Sequence, residues 1–250
     1  MHDRIALFVP CYVDQFYPQV ARATLELLER QGLDVDFPAE QTCCGQPMAN
    51  AGCERDALTA MRLFVRVFAD YDYVVAPSGS CVHYVRQHYD VLEQTADVRH
   101  VRSRVYELCQ FLVDVLQVDD PGVSFPHRVG LHEGCHAQRG LRLATSSEMT
   151  DQPAGVMRSL LERVRDIELI ELDRRDECCG FGGSFSVTEE AVSARMGLDR
   201  VTDHMRHGAE VITSGDMSCL MHLDGIIRRQ HLPVRVMHVA EILNAPGGGS

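Results

Sequence analysis

The 250-residue sequence contains no lysine and no tryptophan. The missing lysine excludes a phosphate-loop lysine and Schiff-base chemistry, and it makes all 24 basic side chains arginines. Genomic base composition is the simplest source of that bias. No segment approaches the roughly 18 to 20 continuous apolar residues of a membrane span. The opening run through Ile5-Ala6-Leu7-Phe8-Val9 is too short and too soon interrupted for a signal peptide. A cytoplasmic protein with no membrane span is the expectation. Positive charge is also scarce: 24 basic against 36 acidic residues give a net charge of -12, the opposite of what nucleic-acid phosphates attract. Ten cysteines fall well below the roughly 8 to 10% of a disulfide scaffold, and a reducing compartment keeps them as thiols. Metal binding or redox chemistry is left as the leading question.

What is present is enough for a packed core, with 45% hydrophobic residues, 24% charged residues and only 10 prolines. The length suits one large domain or two small ones. The cysteines decide for two, because they fall into sets of matching order: Cys11, Cys43-Cys44-Gly45 and Cys81, then Cys135, Cys178-Cys179-Gly180 and Cys219. Cys53 and Cys109 have no counterpart.

Each station follows a strand-like run. Strands are predicted at 5–9 and 129–132 before the single cysteines, at 33–37 and 168–172 before the pairs, and at 73–76 and 210–213 before the last cysteines. Helices are predicted between them at 18–31, ended by Gly32, at 54–70, and from a Thr188 cap to His207-Gly208. A helix-like connector at 104–118 leads into the Asp119-Asp120-Pro121-Gly122 turn. The expected fold is α/β, two pseudo-repeated βαβ lobes with mostly parallel sheets and cysteine loops at the strand carboxyl ends. The first lobe spans 1–122 and the second 123–245, and 246–250 reads as a flexible tail.

An iron-sulfur cubane takes about four thiolates, and each half supplies four from three loops. Adjacent cysteines suit such a cluster better than zinc, whose structural pairs are usually separated by two to four residues. The glycine after each pair permits positive φ and brings amides close to sulfur. Cys11, Cys43, Cys44 and Cys81, and Cys135, Cys178, Cys179 and Cys219, are therefore the candidate metal and cofactor ligands. Cys53 and Cys109 read as a helix-start and a core residue. His132 and His136 flank Cys135 and are candidates for cluster surroundings or proton delivery, whereas His83 and His222 read as packing or surface residues. Gly180-Phe181-Gly182-Gly183 lacks the spacing of a dinucleotide loop. Arg139 and Arg142 offer a carboxylate fork, though surface arginines are the simpler account. Thiol-disulfide catalysis by a vicinal pair and a structural zinc module remain as alternatives of different class.

The repeated Cys, Cys-Cys-Gly, Cys arrangement resembles the cysteine-rich CCG domain of iron-sulfur redox subunits. More narrowly, Phe37-Pro38-Ala39-Glu40-Gln41-Thr42-Cys43-Cys44-Gly45-Gln46-Pro47, Pro77-Ser78-Gly79-Ser80-Cys81 and Cys178-Cys179-Gly180-Phe181-Gly182-Gly183-Ser184-Phe185 are similar to the lactate utilisation protein A family. The resemblance implies an iron-sulfur electron-transfer subunit, with one 4Fe-4S cluster per repeat. It would oxidise L-lactate to pyruvate together with two partner subunits. Its wider kin imply heterodisulfide reductase-like chemistry, or oxidation of glycolate or glycerol-3-phosphate. There are two departures. No Cys-x-x-Cys-x-x-Cys run is present, which assigns ferredoxin-like clusters to a partner. The fuller motif ends in Cys-x-x-Cys, but Ser78 and Asp216 stand where the first of those cysteines belongs. Either a four-cysteine cubane forms, or Ser78 or Asp216 supplies an oxygen ligand.

Overall fold

Short β-branched runs form two four-stranded sheets in a computed structural model that describes residues 3–147 and 155–246. The first sheet holds β1 (Ile5–Leu7), β2 (Val35–Asp36), β3 (Tyr73–Ala76) and β4 (Val105–Glu107) in the order β2-β1-β3-β4. The second holds β5 (Arg128–Leu131), β6 (Glu168–Leu169), β7 (Val211–Ser214) and β8 (Arg235–His238) in the order β6-β5-β7-β8. Every pair is parallel. The registers match too: Ile5 lies opposite Val35 and Tyr73, as Val129 lies opposite Leu169 and Val211. The fold is α/β, with two repeated lobes.

The first lobe carries α1 (Cys11–Phe16), α2 (Pro18–Arg30), α3 (Gln46–Asn50), α4 (Glu54–Phe68), α5 (Gly79–His88), α6 (Ala96–Arg104) and α7 (Leu108–Gln110), the last continued by a wider turn through Val115. The second carries α8 (Val156–Leu161), α9 (Phe185–Thr188), α10 (Glu190–Arg206), α11 (Met217–Gln230) and α12 (Val239–Leu243). In α2 a proline opens the first turn, and Val20, Ala23, Thr24, Leu27 and Leu28 form the buried stripe that helical spacing requires. In α4 the stripe is Ala57, Met61, Phe64, Val65 and Phe68. The stripe of α10 is different in kind, because it buries Ser193, Arg200, Asp203 and His204. Gly130 on β5 lets that helix come close, since a β-carbon there would stand 2.1 Å from His204 Nδ1. No helix among the described residues is long and apolar enough to cross a membrane.

The lobes share a core. Ile5, Leu27, Leu28, Leu108 and Phe111 of the first join Val129, Leu131, Leu160, Leu161, Val239 and Ile242 of the second in one buried cluster. The exchange is reciprocal: α7, just after β4, packs on α8, and α12, just after β8, packs on α2. Arg30 Nη2 donates to the Leu243 carbonyl at 2.5 Å, and Asn244 Nδ2 to Glu26 Oε2 at 2.7 Å. In each sheet the strand order, not the strand direction, reverses between the two central strands. That switch point opens a crevice at their carboxyl ends, where Cys11, Cys81, Cys135 and Cys219 follow.

Two expectations need correction, and one strand was not expected at all. The connector read as helix over 104–118 contains β4 at its start, a three-residue edge strand whose apolar positions also fit a helical period. The matching edge strand of the second sheet, β8, had no sequence expectation and is four residues long. Thr188 is not a cap: it ends α9, and Glu189 stands at the start of α10 without a side-chain bond. Of the expected tail, 247–250 lie outside the described residues.

Candidate metal centre

In the first lobe Cys11 opens α1, Cys43-Cys44-Gly45 forms the loop before α3, and Cys81 sits in the first turn of α5. These loops bring Cys43 Sγ within 3.7 Å of Cys11 Sγ, and Cys44 Sγ within 3.5 Å of Cys81 Sγ. Gly45, at φ 98°, turns its amide back to donate to Cys43 Sγ at 3.4 Å. Tyr89 Oη fixes the pair from behind by donating to the Cys44 carbonyl at 2.8 Å.

The second lobe repeats the construction. Cys135 follows β5, Cys178-Cys179-Gly180 forms a loop, and Cys219 lies in the first turn of α11. The side chain of Cys178 interacts with those of Cys135 and Cys179, and Cys179 with that of Cys219. The Gly180 amide, at φ 88°, donates to Cys178 Sγ at 3.3 Å, and the Phe181 amide to Cys179 Sγ at 3.5 Å. Ser193 Oγ of α10 secures this loop by donating to the Gly180 carbonyl at 2.7 Å.

Electrostatics treats the two sets alike. The sulfhydryls of Cys11 and Cys44, helped by the Gly45 amide, hold the Cys43 thiol far below its ordinary range. The same partnership pushes Cys11 and Cys44 up, and burial adds to it. Cys178 is held down by Cys135 and Cys179, which rise in turn. One thiolate per set is thus comfortable, and further ionisation meets like charge in a partly buried site. A cationic centre accepted by all the sulfurs removes that conflict. The donor set therefore fits a thiolate-ligated metal or iron-sulfur group.

Both sets face one cleft of about 470 Å³ between the lobes, lined by Cys11, Cys44, Cys81, Cys135, Cys178, Cys179 and Cys219. Tyr12 and Phe181 pack edge to face across it at 5.7 Å. The remaining two cysteines stand apart: Cys53 is exposed at the start of α4, and Cys109 is fully buried in α7 beside Glu107.

His132 is placed against sulfur, with a ring nitrogen grouped within 4.8 Å of Cys179 and Cys219. Burial first, and the Arg200 charge second, lower its pKa to about 3, so the ring is neutral. His136 lines the cleft. His83 lies tilted against His136 at 5.1 Å, and His222 Nε2 donates to the Ser193 carbonyl at 3.2 Å, both packing roles. Arg139 pairs with Asp176 at 3.4 Å, and Arg142 lines a separate groove. Ser78 and Asp216, matched positions in the two repeats, bond to each other, a relation no local spacing signals.

Two parallel α/β repeats whose cysteine loops meet at one interlobe cleft define a tandem cysteine-rich domain protein. The CCG cysteine-rich domain model matches residues 5–86 and again 129–224. Lactate utilization protein A of Geobacillus kaustophilus is 43% identical over 97% of this chain and 99% of its own length. The protein of that name from Geobacillus thermodenitrificans is 43% identical over 96% and 98%, and that of Halalkalibacterium halodurans 40% over 96% of each. The chain belongs to the lactate utilization protein A family. A solved glutamate racemase, RacE1 of Bacillus anthracis, aligns at a TM-score of 0.35 and 9% identity over 97% of this chain and 79% of its own, too distant to carry an argument.

Proposed function

We propose that this protein is a cytoplasmic iron-sulfur electron-transfer subunit in the oxidation of L-lactate to pyruvate, with one 4Fe-4S cluster held in each lobe. The observation that carries the reading is the convergence of two sulfur sets, each with one stabilised thiolate and a glycine amide aimed at it, on a single cleft. Cys11, Cys43, Cys44 and Cys81 hold the first centre, and Cys135, Cys178, Cys179 and Cys219 the second. When bound, each centre accepts and passes on one electron at a time. Oxidising lactate to pyruvate releases two electrons and two protons, so two centres match one turnover. The Gly45, Gly180 and Phe181 amides stabilise negative charge on sulfur, while the aromatic pair Tyr12 and Phe181 limits water at the cleft. The lactate-binding residues and the electron acceptor are assigned to two partner subunits, one with ferredoxin-like clusters, while the relatives' name supports lactate utilisation alone.

The test is anaerobic purification followed by iron, sulfide and zinc analysis. A brown protein with about eight iron and eight sulfide per chain, halved by Cys43→Ser and by Cys178→Ser, supports the reading. Reduction of those centres by lactate once the partners are added completes it. Stoichiometric zinc without sulfide makes the protein a structural module, and a colourless, metal-free active dithiol makes it a thiol-disulfide catalyst.

A further inference from the structure

The two sites are not equal. Phe8 precedes Cys11 by three residues as His132 precedes Cys135 by three, and both stand just past the first strand of their sheet. Their backbones are placed alike: the Phe8 amide donates to Val75 of β3 at 2.9 Å, and the His132 amide to Thr213 of β7 at 2.8 Å. The first lobe thus puts a phenyl ring where the second puts an imidazole. Phe8 packs edge to face with Phe64 at 4.8 Å and Phe68 at 5.9 Å.

His132 is wholly buried, and its surroundings decide which nitrogen holds the proton. Arg200 Nε donates to His132 Nδ1 at 3.2 Å. A guanidinium only donates, so Nδ1 accepts and the neutral ring carries its proton on Nε2. Arg200 is itself fully buried and fixed in place. Its remaining donors go to the carbonyls of Arg174 and Arg175, the latter at 3.2 Å, and to Asp203 Oδ2 at 3.4 Å. His132 Nε2 is buried with no hydrogen-bond partner among the described residues. Native interiors rarely leave a donor so, and the electron-rich groups grouped with this ring are the Cys179 and Cys219 sulfurs.

We propose that His132 Nε2–H is a hydrogen-bond donor held for the sulfur of the second-lobe centre, which gives that centre the higher reduction potential of the two. The inference rests on the proposed function. A donor aimed at sulfur stabilises the more negative, reduced state, and Phe8 offers the first centre nothing equivalent. Electrons reaching the cleft then settle on the second lobe, which gives transfer between the lobes a direction. His132 acts here by tuning its neighbour rather than by touching substrate.

The experiment is a redox titration of the reconstituted full chain, followed by electron paramagnetic resonance, for the wild type and for His132→Phe, which copies the first lobe. The expected result is a fall in the higher of two midpoint potentials, the other unmoved and the iron content unchanged. Potentials that do not move, or that move together, overturn the inference while leaving the iron-sulfur reading intact. Wild-type protein that binds no iron overturns both. Should His132→Phe fail to fold, wild-type protein carrying ¹⁵N in its histidine rings gives a second measurement. A weak nitrogen hyperfine coupling to the reduced second centre, absent in His132→Gln, supports the donor. No coupling, or the strong coupling of a direct ligand, overturns it.

Discussion

Ser78 Oγ donates to Asp216 Oδ1 at 2.8 Å across the boundary between the lobes. The two residues hold the same place in their repeats, three before Cys81 and three before Cys219, and their backbones meet as an antiparallel bridge. Ser80 Oγ also donates to Asp216 Oδ1, at 2.7 Å, and the Ser80 amide to Oδ2 at 3.0 Å. Asp216 starts α11 without capping it; its carboxylate instead serves the first turn of α5 in the other lobe. Positions that carry cysteine in the fuller motif are here a latch.

Because that carboxylate is buried and satisfies three donors, Asp216→Ala is expected to cost about 2–4 kcal/mol of stability. Iron content per folded chain is expected to stay at the wild-type value. Denaturant unfolding and iron analysis check the two halves separately. Loss of iron with stability intact would instead make Asp216 an oxygen ligand.

The two glycines after the cysteine pairs have positive φ, but their surroundings differ. A β-carbon on Gly45 meets the Ala57 carbonyl at 3.1 Å, whereas one on Gly180 meets the Ser193 carbonyl at 2.7 Å and Met196 Cβ at 2.8 Å. Gly45→Ala is expected to lose roughly 1–2 kcal/mol, the usual cost of a left-handed residue. Gly180→Ala should lose more, and its second-lobe iron with it. Thermal melts and iron counts of the two variants rank them.

Glu107 gives a pH dependence. It is fully buried, Oε1 has no hydrogen-bond partner, and burial raises its pKa to about 7, with the Asp216 charge adding to the rise and the Gln110 amide opposing it. The folded state therefore keeps a proton that the unfolded chain releases near 4.5. The stabilisation is complete below pH 4.5 and is lost as pH rises through 7, on the order of 3 kcal/mol at about 1.4 per unit. Glu107→Gln, neutral throughout, is expected to remove that decline. Unfolding of both proteins at pH 5 and pH 8 measures the difference.

Thiol reactivity separates ligands from bystanders. Cys53 is exposed and Cys109 buried at 0% exposure. In protein loaded with iron and sulfide, iodoacetamide is expected to modify Cys53 alone, with Cys109 reacting only after unfolding. Mass spectrometry of the alkylated peptides reads the result, and rapid modification of Cys43 or Cys178 in the loaded protein would count against their being ligands.

Local order made much of this molecule legible. The repeat, the alternation of strands with helices and the eight matched cysteines all follow from spacing, because strand and helix periods and loop-end cysteines are near-neighbour features. The helices α2 and α4 were legible for the same reason, each carrying a largely apolar stripe at helical spacing. Strands β4 and β8 were not: three or four residues at a sheet edge carry too little pattern, and the partner strand supplies what the segment lacks. In α10 the buried face is polar, which hides its core side from any hydrophobic period.

The sequence by itself therefore determined the donor inventory, two sets of four thiols on strand-end loops, since chemistry and spacing lie within each segment. Only the tertiary structure decided that both sets open on one cleft and that Asp216 reaches a serine 138 residues away. It likewise set the Nε2 proton of His132 through an arginine 68 residues distant. The physical reason is that these relations arise from the docking of one lobe on the other and of α10 on β5. Burial there turns a lone carboxylate, imidazole or guanidinium into a group that must find its partner.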